Sequence, residues 1–255
     1  MRSQLKSLIS SLIASSQADE VTSKNDTPTK TWEASQQYEW EATVKFMSSS
    51  EFQELALRIR NDPSQKISNG YSPKLTITEF FGGLDLEWHA FIRHISGKTC
   101  LEIGSCTSSI LSGWDTAAER FVIEPLADKV SAWQCENLGF SLYEGLTTYS
   151  LGADQYIEAL ERKVDGAIFC RNCIDHSPDW AFILSNISSY ALPGCRLLLW
   201  NDIFHLDGTD SGHYDLTKDP YAMKRLISRL GFDIKREYND SSRRDLNWGC
   251  FAIKN

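Results

Sequence analysis

Apolar residues recur at helical spacing through the first third of the chain, then gather into short solid runs. Leu5, Leu8, Ile9, Leu12 and Ile13 return three and four positions apart, which predicts a short amphipathic helix. Residues 15–30 are rich in Ser, Thr, Asp, Asn and Lys and read as a flexible N-terminal linker. Beyond Trp32 the helical texture resumes. Ser50 followed by Gln53 has the form of a capping box, Phe52, Leu55, Ala56 and Ile59 share one stripe, and Asp62-Pro63 ends it. Trp88, Phe91, Ile92 and Ile95 form another stripe, closed by Gly97. Residues 31–96 are therefore expected to be a helical extension ahead of the first strand.

From Lys98 the period changes. Thr99 to Ile103 is a buried-strand run ended by Gly104, and Phe121 to Ile123 is a second, ended by Glu124. Leu126 to Leu138 carries helical spacing and closes on Gly139. Val164 to Cys170 reads as a strand, Trp180 to Tyr190 as a helix, Arg196 to Trp200 as a strand and Tyr221 to Leu230 as a helix. Phe232 to Tyr238 and Trp248 to Ile253 are two closing strands around a polar turn at Asp240, Ser241 and Ser242. Alternating strands and helices predict an α/β domain with a parallel sheet and right-handed crossovers. The late strand pair with its short turn predicts one antiparallel strand at the end.

Composition narrows the function classes. At 255 residues and 42% hydrophobic, the chain can fill one large α/β core, placed here at residues 97–255. A net charge of -8 repels phosphate backbones, and Arg243-Arg244 is too small a basic patch, so nucleic acid is not expected as a partner. No apolar run approaches the roughly 18 residues of a membrane span, and Ser10 and Ser11 interrupt what a secretory signal would keep continuous. Seven cysteines at scattered positions do not form a disulfide framework, so a reduced, cytoplasmic protein is expected. Cys170 and Cys173 form a C-x-x-C with no second pair at zinc spacing, and read as structural. Asp202, His205, Asp207 and His213 match no fixed ligand motif, so no metal is expected.

The candidate chemistry sits where strands end. In an open parallel sheet, ligands bind beyond the carboxyl ends of the strands at the point where strand order reverses. Gly104 allows a tight turn after the first strand. Glu124 ends the second, about twenty residues on, where a carboxylate can accept hydrogen bonds from two ribose hydroxyls at once. A dinucleotide site is disfavoured, because the G-x-G-x-x-G turn is absent.

Leu101-Glu-Ile-Gly-Ser105, Val122-Ile-Glu-Pro-Leu126, Phe169-Cys-Arg-Asn-Cys-Ile-Asp-His176 and Leu192-Pro-Gly194 come in an order and spacing that resembles the class I S-adenosylmethionine-dependent methyltransferases. The similarity runs from about Gly97 to Asn255 and is greatest to the small-molecule, type 11-like branch. It implies a Rossmann-like seven-stranded sheet, mostly parallel with the last strand antiparallel. It also implies S-adenosylmethionine as cofactor and a small-molecule substrate. On that resemblance Glu102, Gly104, Ser105 and Cys106 would wrap the methionine part of the cofactor, and Glu124 would hold the ribose. Pro125 and Leu126 would lie beside the adenine, with Ala153 and Asp154 as further adenine contacts. Asn172 and Cys173 would face the sulfonium, and His176 the substrate side. Cys106 and Ser108 depart from the pattern, standing where the family has further glycines. Cys195 likewise replaces the second glycine after Pro193.

An acceptor hydroxyl calls for a general base. His176 and His213 are the candidate catalytic residues, with His205 nearby in the polar segment after the fifth strand. The expected activity is O-methyl transfer to a hydroxyl-bearing metabolite or sugar. The altered first loop keeps open a second reading, a catalytically inactive methyltransferase-like protein that serves as a binding or scaffold subunit. Trp32, Tyr38, Trp40, Phe80, Phe81 and Trp88 are candidates for a lid over the substrate, and equally for ordinary helix packing.

Overall fold

The computed structural model describes residues 32–61, 88–113, 117–177, 179–206, 213–217, 219–239 and 245–255. Trp32–Asn255 form one compact unit. The expected N-terminal helix and linker, Phe80, Phe81, Asp207 and the Asp240–Ser242 turn lie outside the described residues.

Three helices precede the sheet: α1 (Trp32–Met47), α2 (Ser50–Asn61) and α3 (Trp88–Ile95). Then follow β1 (Thr99–Ile103), β2 (Glu119–Ile123), α4 (Ala127–Leu138), β3 (Thr147–Tyr149) and β4 (Ala167–Arg171). The chain closes with α5 (Trp180–Tyr190), β5 (Arg196–Phe204), α6 (Pro220–Arg229), β6 (Phe232–Tyr238) and β7 (Leu246–Lys254). The sheet is seven-stranded in the order β3-β2-β1-β4-β5-β7-β6. Its first five strands pair in parallel, and β7 runs antiparallel to both β5 and β6. The predicted architecture is therefore the observed one. β3 is the strand the hydrophobic pattern missed, because its three residues are Thr, Thr and Tyr and none is buried. The cap of α2 also differs from the reading on Ser50. The hydroxyl of Ser49 accepts the Phe52 amide at 3.2 Å, one residue earlier.

Each face of the sheet is covered by helices. Alternate residues along the strands, Cys100, Ala167, Phe169, Leu198 and Trp200, share a cluster with Phe91 and Ile95 of α3. On the other side Phe52, Ala56 and Ile59, the predicted stripe of α2, pack with Met47, Val122 and Val130. The order reverses between β1 and β4, which lie side by side while β2 and β5 flank them. Their carboxyl ends therefore open a crevice at the switch point. Among the described residues, no helix is long and apolar enough to cross a membrane.

Candidate functional site

The crevice is built from three strand exits. At the end of β1, Gly104 has φ +74°, and a Cβ there would stand 2.1 Å from the Cβ of Cys173. Only glycine lets the exits of β1 and β4 touch. The Gly104 amide donates to the Ile123 carbonyl at 2.9 Å, and the Cys173 thiol donates to the Ile103 carbonyl at 3.1 Å. Two residues on, Cys106 has φ +54°. The loop thus keeps a glycine-like path although a side chain is present, a conformation that costs about 1–2 kcal/mol. Long-range contacts hold it. The Cys106 amide donates to Glu124 Oε2 at 2.9 Å, the Tyr143 hydroxyl donates to the Cys106 carbonyl at 2.5 Å, and the Gln134 side chain donates to the Thr107 carbonyl at 2.7 Å.

Two of the expected cofactor contacts shape this loop and do not line the cleft. The Glu102 carboxylate accepts from the Ser109 hydroxyl and from the Ile110 amide. Ser105 is buried, its hydroxyl 2.7 Å from that of Tyr143. Ser108, the other replaced glycine, is also buried.

At the end of β2, Glu124 is buried and accepts two main-chain amides, Cys106 on Oε2 and Leu126 on Oε1 at 3.0 Å. A carboxylate has about four acceptor positions, so two remain for a ligand. Burial pushes the Glu124 carboxyl above its ordinary range, while the two amides and His176 pull the other way. Pro125, Leu126 and Ala153 line the same side of the cleft. Asp154 does not line it; its carbonyl and that of Ala153 accept from the Asn186 side chain at 3.1 and 2.9 Å.

At the end of β4, Asn172 has φ +44° and its Oδ1 accepts the Asp202 amide at 3.2 Å. Asn201, fully buried on β5, fixes the next turn: its Oδ1 accepts the amides of Cys173 at 2.8 Å and Ile174 at 3.1 Å. Asn201→Ala leaves both donors unpaired, at about 1–3 kcal/mol each, and is expected to lower stability by roughly 2–4 kcal/mol. Chemical denaturation of the two proteins measures this, and a loss below about 1 kcal/mol would show that the turn holds without Asn201. Cys170 and Cys173 place their sulfurs 3.3 Å apart. The neighbouring thiol, then burial, push Cys173 well above its ordinary range, in keeping with a structural C-x-x-C.

Helix α1 contributes a fourth wall, of which the sequence marks Trp32 alone. Trp32, Gln36, Glu39 and Thr43, spaced four, three and four apart, all line the cleft. The cleft has a volume of about 680 Å³, its mouth included. Gln36 Oε1 is buried and accepts no hydrogen bond among the described residues. Of the proposed lid aromatics, Trp32 reaches the cleft. Tyr38 is exposed, and Trp40 instead packs against the cluster around Val130, with Lys129 over its ring. The Trp88 side chain lies outside the described residues.

Next to the β4 exit stands a group of imidazoles and carboxyls. The His176 ring lines the cleft, 4.4 Å from the His213 ring, which is itself 5.4 Å from that of His205. His176 Nδ1 is 3.6 Å from Glu39 Oε1. The Tyr214 amide donates to the Asp175 carbonyl at 2.6 Å, folding the segment after β5 back onto the β4 turn. Asp175 is fully buried; His205 Nε2 lies 3.8 Å from its Oδ2, yet neither oxygen accepts a hydrogen bond among the described residues. Burial lifts the Asp175 carboxyl to about 7, against the pull of His213. The structure brings His176 and His213 together, with Glu39 and Asp175 beside them.

No protein-family model matches the sequence, and no curated protein matches it. Solved structures do match in shape. The N-methyltransferase NodS from Bradyrhizobium japonicum, in complex with S-adenosyl-L-homocysteine, superposes with a TM-score of 0.53 at 11% identity, over 85% of this chain and 99% of that one. A Burkholderia thailandensis 1,6-didemethyltoxoflavin-N1-methyltransferase, bound to that substrate and S-adenosylhomocysteine, gives 0.51 at 12% identity, over 92% and 93% of the two chains. The [4+2]-cyclase SpnF gives 0.50 at 14% identity, over 65% and 78%. The sheet order, the antiparallel last strand and these similarities agree: the chain has the Rossmann-like fold of the class I S-adenosylmethionine-dependent methyltransferases.

Proposed function

We propose that this protein is an S-adenosylmethionine-dependent methyltransferase that methylates a small molecule at a hydroxyl oxygen, as in a hydroxyl-bearing metabolite or a sugar. The observation that carries the reading is the convergence of Gly104, Glu124 and the Asn172-Cys173 turn on one cleft at the switch point. The fit to the cofactor rests on two features of the site. The β1 and β4 exits approach so closely that a Cβ at Gly104 has no room, and Glu124 keeps acceptor capacity beside two fixed amides. When bound, S-adenosylmethionine supplies an electrophilic methyl group on a sulfonium.

In this reading Glu124 holds the ribose hydroxyls, Pro125, Leu126 and Ala153 enclose the adenine, and Asn172 and Cys173 bound the sulfonium end. Glu102, Ser105 and Asp154 act one step back. Glu102 and Ser105 hold the loop, and Asp154 shares the segment tied down by Asn186. The wall from α1 excludes water from the reacting centre, and orientation supplies much of the rate. His176 and His213 face the acceptor, and an imidazole there can take up its proton. The solved neighbours named above for methyl transfer act on nitrogen, so the hydroxyl preference rests on this base alone.

The test is transfer of a labelled methyl group from S-adenosylmethionine to a panel of small hydroxyl and amine acceptors, with product analysis. Transfer to oxygen that falls by about 100-fold or more in His176→Ala supports the whole reading, since a base contributes ~10²–10⁴. Methyl found on nitrogen overturns the hydroxyl assignment and leaves the cofactor reading standing. The alternative, binding without catalysis, is favoured by one feature, the Cys106 side chain in the cleft lining. As a binding or scaffold subunit the protein would transfer methyl to no acceptor.

A further inference from the structure

We propose that Glu39, His176 and His213 form a binding site for a single divalent transition cation of the zinc class, set on the acceptor side of the cleft. Their ligand atoms all lie within 4.8 Å of one another, each side chain half-buried. Two neutral imidazoles and one carboxylate suit zinc and its neighbours better than magnesium or calcium, which prefer all-oxygen sets. Donors around one tetrahedral zinc at about 2.0–2.1 Å stand ~3.4 Å apart. The 3.6 Å edge from His176 Nδ1 to Glu39 Oε1 already has that size. The other edges are no longer than 4.8 Å.

The three ligands come from three places: α1, the turn after β4 and the segment after β5. A cation there would pin the α1 wall and the returning segment to the sheet. It would leave an open coordination position toward the cleft that Glu39 and His176 line. A second observation points the same way. Asp175, the residue before His176, is wholly buried with neither oxygen accepting a hydrogen bond among the described residues, and the ring of His205, neighbour to His213, stands 3.8 Å from its Oδ2. Metal-bound histidines usually turn their second nitrogen to such a carboxylate, which fixes the ring and strengthens the ligand. A neighbouring group, Asp202, His205 and Asp245, also has ligand spacing. Its Asp245 carboxylate accepts the Leu206 amide at 3.1 Å, and none of its three members lines the cleft.

The inference does not depend on methyl transfer, and it departs from the sequence-based expectation of no metal. It also bears on the acceptor. An imidazole nitrogen that holds a cation cannot take up a proton, so an acceptor oxygen would then be activated by coordination.

The test uses the full chain, stripped with a chelator and titrated with cobalt(II), whose ligand-field absorption reports nitrogen and oxygen donors, and then with zinc in competition. We expect one equivalent of cobalt(II) to bind and zinc to displace it. Glu39→Gln and His213→Ala should each weaken binding by ten-fold or more, while His205→Ala retains it. Thermal melts of each variant verify that the fold survives. No binding to the folded wild type overturns the proposal. So does equal binding by all variants, which would mean surface adsorption, or loss in His205→Ala alone, which would place the ion in the neighbouring group.

Discussion

Replacing Gly104 with Ala is expected to destabilise the protein by on the order of 3 kcal/mol and to abolish binding of S-adenosylmethionine. Two effects add. The residue sits at φ +74°, where a side chain costs about 1–2 kcal/mol. The new Cβ would lie 2.1 Å from the Cβ and 2.6 Å from the Sγ of Cys173, and such overpacking costs typically about 1–3 kcal/mol. Relief requires β1 and β4 to separate at their exits, which is where the cofactor reading places the methionine end. Gly97→Ala is the matched control. It has φ +70° and no atom within 4 Å of the added Cβ, so it suffers the backbone effect alone. Melting curves and ligand titration on both variants separate the effects. Equal losses in the two would show that the Cys173 contact is unimportant.

The second large effect is expected at Glu124. Glu124→Ala removes the acceptor for the Cys106 and Leu126 amides and, in the proposed complex, for the ribose. Cofactor affinity should fall by about 10- to 100-fold, ~1.4–2.7 kcal/mol. Glu124→Gln should be nearly as damaging, because one oxygen becomes an NH₂ donor facing an amide donor. A Gln variant that binds like wild type would show that the carboxylate holds only one partner of consequence.

These two residues were legible in the sequence because their signals are local. A strand run ending in glycine and a second ending in an acid are each visible within a few positions. The sheet around them follows from the alternation of apolar runs and helical stripes. What the sequence concealed depends on contacts distant along the chain. Gln36, Glu39 and Thr43 of helix α1 join the expected Trp32 in the cleft lining, a polar stripe that apolar periodicity cannot reveal. Tyr143 and Gln134 brace the Cys106-Thr107 loop from 37 and 27 positions away. That bracing explains how the loop keeps its left-handed turn without a glycine at Cys106. Glu102 and Ser105 lie in the expected motif, yet they turn to Ser109 and Tyr143, partners fixed by the fold of the loop. Asp175 is hidden for a different reason. A charged residue inside a polar motif reads as a solvated turn, whereas Asp175 is fully buried and the Tyr214 segment, distant along the chain, returns onto its main chain.

The central claim is that the switch-point cleft binds S-adenosylmethionine, and calorimetric titration of the purified full chain with S-adenosylhomocysteine tests it most directly. One site with a dissociation constant in the micromolar range, about -8 kcal/mol, is expected, lost in Gly104→Ala and weakened in Glu124→Ala. A folded wild-type protein that shows neither binding heat nor a thermal shift would contradict it.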